Sequence, residues 1–241
     1  MSFSGFENED RIIEALNGKI FESLTANLQE LIKSSFLNYN GVIVAVKQAG
    51  QNKSDLKITI GNESHTYSVK KGSGNSVHQE PIEQFIHFLE LNYTISKDLE
   101  NDIRFFIWGD GTFDGKGKKE DRLDQNQLKK LHEPLLQRIN IFFENIKDDL
   151  IQRFVFDGAN TSIHSAEFIY FGTEKKGICI PAKNAFNLIS KNKSTRAAIS
   201  VGVLSFQAWN RAIKKDSKSE HKRGQIQLKL GSLERLVKNE K

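Results

Sequence analysis

The first third of the chain alternates between segments with helical spacing of apolar residues and short segments rich in β-branched residues. Between residues 10 and 36, apolar side chains recur every three or four positions, which predicts one or two amphipathic helices with a break at Gly18. Three strands are predicted next, at residues 41–48, 55–60 and 65–71. The link GNES between the second and third strands contains Gly and Asn, which favours a hairpin.

A helix and a fourth strand are expected after this hairpin. Ser76 and Gln79 have the spacing of a capping box, and Pro81 is tolerated in a first turn, so the helix is predicted to begin at about Glu80. Its buried stripe is expected to contain Ile82, Phe85, Ile86 and Leu89. The apolar run at residues 102–109 is predicted to be a strand, which gives the order helix, three strands, helix, strand.

The second half contains a long helical pattern followed by further strand patterns. Residues 125–153 predict a helix bent near Pro134. A hairpin is predicted at 167–172 and 177–180, and strands at 197–206 and 224–230. The predicted class is α/β (α+β), with a central mixed sheet flanked by helices. Residues 1–110 are expected to form the core, and residues 111–241 to add the long helix and a basic C-terminal part within one compact unit.

Charge is unevenly distributed along the chain. The formal net charge is +5, with 38% hydrophobic and 27% charged residues, which is typical of a globular protein. Residues 183–241 contain 14 Lys and Arg against 4 Asp and Glu, a local excess of +10. Such an excess favours a polyanionic partner, because neutralised phosphates release their counterions, although an ordinary solvated surface explains it equally well.

Cysteine usage and hydropathy bear on the compartment. Cys179 is the single cysteine, so no internal disulfide is possible, and a reducing cytoplasm is expected. No basic segment followed by an apolar run begins the chain, and no stretch of eighteen apolar residues occurs, so neither export nor a membrane partner is expected.

The strongest chemical pattern combines Asp55, Lys70 on the next predicted strand, and Glu80 or Glu83 on the helix after that. Hydrolysis of a phosphodiester needs a hard cation held by carboxylate oxygens, and Mg²⁺ accepts one or two such ligands while it keeps several waters. The ammonium of Lys70 would orient the attacking water and stabilise developing charge. Val69, between Ser68 and Lys70, is also included among the metal contacts.

This arrangement resembles the core of the PD-(D/E)XK nuclease superfamily, which includes many type II restriction endonucleases. The family pattern has Asp or Glu two residues before the lysine, whereas this chain has Ser68 in Ser68-Val69-Lys70. Some members carry Ser-x-Lys and place the second acid on the following helix. The resemblance therefore implies a restriction-endonuclease-like core, Mg²⁺ as cofactor, and Glu83 as the relocated acid, while proximity to Lys70 favours Glu80, so both are retained.

Residues that contact DNA are expected next to Lys70 and in the basic C-terminal part. The Gly-rich segment that follows Lys70 contributes Lys71, Ser73 and Asn75. The C-terminal set is Arg211, Lys214, Lys215, Lys222, Arg223, Gln225 and Gln227, with the glutamines as candidates for base contacts.

Three functions remain open from the sequence. The first is a sequence-specific double-stranded DNA endonuclease of a restriction system, acting as a homodimer with the helix at residues 125–153 as a candidate seam. The second is a non-catalytic nucleic-acid-binding protein that uses the basic C-terminal region. The third, an enzyme acting on RNA or on a small phosphorylated substrate, has the least support.

Overall fold

The fold was determined from a computed structural model of the chain. It describes residues 5–48, 54–71, 75–158, 166–209, 211, 219–230 and 236–237. The predicted contact residues Ser73, Lys214 and Lys215 lie outside these residues.

The described residues form helices and strands in mixed order along the chain. The α-helices are α1 (Gly5–Leu16), α2 (Ala26–Lys33), α3 (Ile82–Asn92), α4 (Lys97–Trp108), α5 (Gln125–Leu131), α6 (Glu133–Asn145), α7 (Lys147–Ile151) and α8 (Ala182–Lys191). The strands are β1 (Ile43–Lys47), β2 (Leu56–Ile60), β3 (Glu63–Lys70), β4 (Asn75–Pro81), β5 (Phe168–Gly172), β6 (Gly177–Pro181), β7 (Ile199–Val201), β8 (Leu204–Ala208) and β9 (Gln225–Leu230). A π-helix follows α7 at Gln152–Asp157.

The described residues divide into two compact units that each contain one sheet. Unit 1 comprises those within 1–75, 151–189 and 232–241, and unit 2 comprises those within 76–150 and 190–231. Both units are discontinuous in sequence, and the division expected at residue 110 stays a prediction. The predicted fold class is confirmed, because a mixed sheet and an antiparallel sheet are both flanked by helices.

Unit 1 is built on a five-stranded sheet with the order β1-β2-β3-β5-β6. The pairing of β3 with β5 is parallel and the other pairings are antiparallel. In β2 the buried positions alternate with partly exposed ones, which leaves Leu56, Ile58 and Ile60 against the core formed with α1 and α2. The tight turn between β2 and β3 uses Gly61 at φ 59°, a conformation that glycine adopts without strain.

Unit 2 packs helices against one face of a four-stranded sheet with the order β4-β9-β8-β7. Its centre is aromatic: the ring of Phe143 lies 4.9 Å from that of Phe206 and 6.0 Å from that of Phe85. Phe106 stacks on Phe206 from α4. These rings come from three helices and one strand, so burial of aromatic surface holds the sheet to its helical layer.

The predictions for the first 71 residues are confirmed in type and nearly in extent. A helical segment breaks after Leu16, where Gly18 has φ 74°, and resumes at α2. The three predicted strands correspond to β1, β2 and β3, and the predicted 167–180 hairpin corresponds to β5 and β6. Period-two alternation and glycine turns are local signals, which is why these elements were recognisable.

Two predictions between residues 75 and 109 are wrong. Residues 75–81 form β4, which pairs in the second sheet, so Ser76 and Gln79 do not open a helix; α3 begins at Ile82, with the expected buried stripe. Residues 102–109 belong to α4, not to a strand. The helix is capped by Ser96, whose Oγ accepts a hydrogen bond from the backbone N–H of Leu99, and it ends at Gly109 at φ 61°. A short apolar run does not by itself distinguish a strand from a buried helix.

The later elements follow the predicted pattern with additional breaks. The long helical segment is divided into α5, α6 and α7, with Pro134 in the first turn of α6. The predicted strand at 197–206 is a hairpin of β7 and β8, because Gly202 turns at φ 57°. Among the residues described, no helix combines the length and the apolar character required to cross a bilayer.

Candidate active site

The carboxylate of Asp55 collects three donors from the end of β3. Its Oδ2 atom accepts hydrogen bonds from the backbone N–H of Val69 at 2.6 Å and from the hydroxyl of Ser68 at 3.2 Å. The ammonium of Lys70 donates to the same oxygen at 3.3 Å. The structure therefore brings together Asp55, Ser68, Val69 and Lys70, as the sequence predicted.

Strand pairing explains why these residues meet. Asp55 immediately precedes β2, and its backbone N–H donates to the carbonyl of Tyr67 at 2.7 Å, which continues the ladder between β2 and β3. Because β3 runs antiparallel to β2, the last residues of β3 lie beside the start of β2. Asp55 thus faces Ser68, Val69 and Lys70 at one end of the sheet.

The side chains of Asp55 and Lys70 are only partly exposed to water. The side chain of Asp55 is 23% exposed and that of Lys70 is 18% exposed. Lys70 also donates to the carbonyl oxygen of Val69 at 3.2 Å, so its ammonium is held by two acceptors. Partial burial strengthens electrostatic contacts relative to bulk water while it leaves one side open to a ligand.

Glu9 in α1 is the site residue that the sequence analysis missed. The ammonium of Lys47 lies 3.5 Å from Oε2 of Glu9 and 2.8 Å from Oδ1 of Asp10. Lys47 ends β1 opposite Leu56, and the backbone N–H of the next residue, Gln48, donates to the carbonyl of Asp55 at 3.0 Å. Glu9 is therefore fixed at the strand end that carries Asp55.

A second contact of α1 reaches the other side of the same sheet end. The side-chain amide of Asn8, which is buried, donates to the carbonyl of Gly172 at 2.9 Å. Gly172 ends β5, whose preceding residue Phe171 pairs with Lys70 in the parallel ladder. Asn8 and Glu9 thus span the sheet end from β5 to β1, and the positions of Asp55 and Lys70 lie between these two anchors.

The electrostatics of Glu9 agree with this geometry. Burial raises the pKa of the Glu9 carboxyl above its ordinary value, and the negative charge of Asp55 raises it further. Lys47 and Lys70 act in the opposite direction, without cancelling the increase. The carboxylates of Glu9 and Asp55 repel each other in a partly buried space. A cation bound at this position would relieve the repulsion.

One sequence signal does point to Glu9. It precedes Ile12 by three residues and Leu16 by seven, so it falls on the apolar stripe of α1, and only 9% of its surface is exposed. An acid on a buried helical face is rarely found without a partner. An acidic residue on the apolar stripe of a predicted helix is therefore a candidate site residue.

The donor set at this sheet end suits a magnesium ion. The carboxylates of Glu9 and Asp55 and the carbonyl oxygen of Val69 are hard oxygen ligands, and Mg²⁺ is commonly bound through one or two carboxylates with water in the remaining positions. Over the described ranges, no group of three His, Cys, Asp or Glu side chains is placed to cage a metal. A two-carboxylate site does not require such a group.

Glu80 and Glu83, predicted as the relocated acid, belong to unit 2 and have contacts there. Glu80 is buried in β4, with its Oε1 3.2 Å from Nε2 of His78. Glu83 forms a two-bond ion pair with Arg104, at 2.5 and 2.8 Å, and this pairing lowers the pKa of Glu83. Their participation in catalysis stays a prediction, whereas Glu9 joins Asp55 and Lys70 within unit 1.

The predicted phosphate contacts in the basic C-terminal region separate into buried and accessible residues. The side chain of Arg223 is only 7% exposed, and it donates to the carboxylate of Asp110 and to the carbonyl of Trp108, both at 3.0 Å. Arg211 is buried; it lies over the ring of Phe106 and donates to the carbonyl of Phe106 at 2.6 Å. Their burial does not support phosphate contacts, because both guanidinium groups are engaged inside unit 2.

Three of the remaining predicted contacts are more accessible. Lys71, Lys222 and Gln225 are partly exposed, whereas Gln227 is buried and accepts a hydrogen bond from Gln207. Asn75 begins β4. Of the predicted cations in the described C-terminal region, Lys222 is therefore the one that presents charge near the surface.

Comparison with known proteins gives no assignment. No protein-family model matches the sequence, and no match was found among the curated proteins. The chemistry of the site therefore carries the functional argument.

Proposed function

We propose that the chain is a Mg²⁺-dependent endonuclease that hydrolyses phosphodiester bonds in double-stranded DNA, in the manner of type II restriction enzymes. The observation that carries this proposal is the contact between Lys70 and Asp55 at 3.3 Å, with Glu9 at the same end of the sheet. Two acids and an ammonium at the end of a sheet are the groups that metal-assisted phosphodiester hydrolysis requires.

The order of elements in unit 1 supports the same proposal. Along the chain, unit 1 contains α1 and α2, then β1, β2 and β3, then the π-helix that follows Ile151, and then β5 parallel to β3. This is the order helix, three strands, helix, strand that the resemblance to the PD-(D/E)XK superfamily implies. The fourth strand is β5, and residues 76–150 of unit 2 intervene between β3 and β5 in the sequence.

The proposed mechanism assigns a separate role to each group. Glu9, Asp55 and the carbonyl of Val69 would hold Mg²⁺, which would supply Lewis acidity toward the phosphate. Lys70 orients the attacking water and offsets the charge that develops on the phosphate oxygens. Ser68 and the backbone N–H of Val69 fix the Asp55 carboxylate, so that one of its oxygens is positioned by the protein.

The proposal includes a homodimer and a cytoplasmic location. Cleavage of both strands of a duplex is served by two equivalent centres related by twofold symmetry. The helical segment of α5 to α7 exposes Leu131 and Ile141, which are 60% and 65% accessible, and it supplies apolar surface for a seam. The single cysteine, Cys179, is compatible with a reducing compartment.

Cleavage of unmodified DNA tests the proposal. Purified protein is incubated with Mg²⁺ and a set of unmethylated plasmids of different sequence, in parallel with the Asp55→Asn variant. Discrete fragments from the wild type and intact DNA with Asp55→Asn are expected. Plasmids that remain intact with either Mg²⁺ or Mn²⁺, or cleavage that persists in the variant, would contradict the proposal. Binding without cleavage would favour the non-catalytic nucleic-acid-binding alternative.

A further inference from the structure

The ammonium of Lys47 is surrounded by one turn of α1. Glu9 and Asp10 follow Phe6 by three and four residues, so the three side chains lie on the same side of the helix. The ammonium lies 2.8 Å from Oδ1 of Asp10, 3.5 Å from Oε2 of Glu9 and 5.3 Å from the centre of the Phe6 ring. Two carboxylates and an aromatic face therefore share one positive charge.

The two carboxylates that share Lys47 differ in their surroundings. Asp10 is exposed, whereas Glu9 is buried. The contact with Asp10 is the shorter one, and the hydrogen bond that Lys47 donates to Asp10 is the largest cause of the raised pKa of Lys47. The ammonium therefore keeps a charged partner if it gives up its longer contact with Glu9.

The contact of Lys47 with Glu9 affects the proposed metal centre. Oε2 of Glu9, which lies next to Lys47, belongs to a carboxylate that the proposed function assigns to Mg²⁺. Asp55, Lys47 and Lys70 all act electrostatically on Glu9. Because charges of the same sign repel each other, an ammonium this close to a carboxylate lowers the affinity of that carboxylate for a divalent cation. Lys47 therefore opposes metal binding at the sheet end that carries Asp55.

We infer that Lys47 is a positioning residue that competes with Mg²⁺ for Glu9 and thereby sets the Mg²⁺ concentration that the site requires, with Asp10 as the partner that receives its ammonium. The contact with Lys47 holds the Glu9 carboxylate at the sheet end. Asp10 makes release of Glu9 possible, because the ammonium is not left without a partner. This inference rests on the proposed function, since it names a residue that regulates the metal centre of the same nuclease.

Direct measurement of metal binding tests the inference separately from cleavage. Binding of Mn²⁺ to the protein without DNA is followed by electron paramagnetic resonance, because Mn²⁺ prefers the same oxygen ligands as Mg²⁺. Displacement by Mg²⁺ and loss of binding in Asp55→Asn assign the bound ion to this site. Lys47→Gln should bind Mn²⁺ about tenfold more tightly than the wild type, because a unit charge a few ångströms from a divalent ion is removed. Lys47→Arg keeps the charge and should bind as the wild type does.

Asp10→Asn is expected to have the opposite effect. It removes the charged partner of Lys47, so the ammonium should pair more strongly with Glu9, and Mn²⁺ should bind more weakly than to the wild type. In the Lys47→Gln background, Asp10→Asn should change the affinity much less, because the competing ammonium is no longer present. This double-mutant cycle separates competition by Lys47 from a direct effect of the Asp10 charge on the metal.

Lys33 in α2 provides the matched control. Its ammonium lies 3.4 Å from Oε1 of Glu30 and 5.7 Å from the centre of the Phe21 ring, so it has the same kinds of neighbours as Lys47. Lys33→Gln should bind Mn²⁺ as the wild type does. Equal tightening in Lys33→Gln and Lys47→Gln would indicate a general effect of net charge and would overturn the inference.

The remaining outcomes distinguish the two proposals. Unchanged or weaker Mn²⁺ binding by folded Lys47→Gln would overturn the inference and make Lys47 an ordinary structural residue. Circular dichroism establishes folding; if Lys47→Gln does not fold, Asp10→Asn decides, and an affinity equal to that of the wild type overturns the inference. Absence of Mn²⁺ binding by the wild type, or binding that survives Asp55→Asn, would overturn the metal centre of the proposed function itself.

Discussion

The ammonium of Lys70 lies 3.3 Å from Oδ2 of Asp55, fifteen residues earlier in the chain, and the antiparallel pairing of β2 with β3 creates this contact. A third group, Glu9, reaches the same sheet end from α1 and is anchored through Lys47. The site is therefore assembled from a helix and two strands of one compact unit.

Removal of the Lys70 ammonium is expected to abolish most of the cleavage activity. Lys70→Met should lower the cleavage rate by about 100-fold or more, the cost of losing one charged donor at a reacting centre. Duplex binding should change much less, because a single lysine contributes a small part of phosphate affinity. Rates of plasmid nicking and mobility-shift affinities, measured on the same preparation, give the two values.

Lys71 provides the matched control for this variant. It is the next residue, lies beyond the end of β3 and is partly exposed. Lys71→Met should retain cleavage within a few-fold of the wild type. Equal losses in Lys70→Met and Lys71→Met would indicate a general electrostatic effect and not a role at the reacting phosphate.

The identity of the second acid can be decided with three isosteric variants. Loss of a residue that only supports a metal ligand costs about 10- to 100-fold in activity. Glu9→Gln should lower the cleavage rate by more than this, because Glu9 lies at the sheet end with Asp55. Glu80→Gln and Glu83→Gln should retain most of the activity, since their carboxylates contact His78 and Arg104. Cleavage is measured over a range of Mg²⁺ concentrations.

The Mg²⁺ dependence distinguishes a ligand from a structural residue. A ligand variant requires more Mg²⁺ for half-maximal rate, whereas a merely destabilised protein loses activity at all concentrations. If Glu83→Gln or Glu80→Gln shifts the Mg²⁺ requirement and Glu9→Gln does not, the relocated acid lies on β4 or α3 and the assignment of Glu9 is wrong.

Acid stability of unit 2 is expected to depend on Glu100. Burial of Glu100 in α4 would raise its pKa, but hydrogen bonds from Lys97 and Arg104 outweigh it and lower the pKa below the ordinary 4.5. A carboxyl whose pKa is lower in the folded state than in the unfolded state stabilises the fold at pH values above its unfolded-state pKa. This contribution is lost as the pH falls through the folded-state pKa. Stability from this group is therefore lost below pH 4.5.

Arg104→Gln tests this dependence. It leaves the buried carboxylate of Glu100 without one donor, so the free energy of unfolding near pH 7 should fall by about 1–3 kcal/mol. The decrease in stability on acidification should be smaller than in the wild type. Lys116→Gln, which removes the exposed ion pair with Asp114, should leave the stability nearly unchanged, because solvent screens such a pair. Denaturant unfolding at several pH values measures both.

The ion pair of Arg223 and Asp110 is expected to be structural. The Asp110 side chain is fully buried and that of Arg223 is 7% exposed, and Asp110 also accepts a hydrogen bond from the hydroxyl of Thr112. Arg223→Met should destabilise the protein by about 3–5 kcal/mol, because it leaves an uncompensated buried charge. Asp110→Asn combined with Arg223→Met should recover part of this loss. A variant Arg223→Met that melts as the wild type does and binds DNA less tightly would instead assign Arg223 to phosphate contact.

The sequence by itself determined the elements whose signals are local. Alternation of apolar residues predicted β1, β2 and β3. The acid before one strand and the lysine at the end of the next strand identified Asp55 and Lys70 as candidate site residues. Neighbouring antiparallel strands are joined by short turns, so their pairing is almost implied by their order. The placement of half the candidate site was therefore predictable.

Only the tertiary structure decided which strand completes the first sheet and which acid joins Asp55. The parallel partner of β3 is β5, which pairs Tyr67 with Phe168 across about a hundred residues, and no local pattern encodes such a pairing. The run at residues 102–109 resembled a strand because buried helices and strands share apolar composition. Glu9 lies 46 residues before Asp55, and packing of α1 on β1 brings its carboxylate to the site. Burial and long-range pairing depend on the whole fold, and that is why these features required the structure.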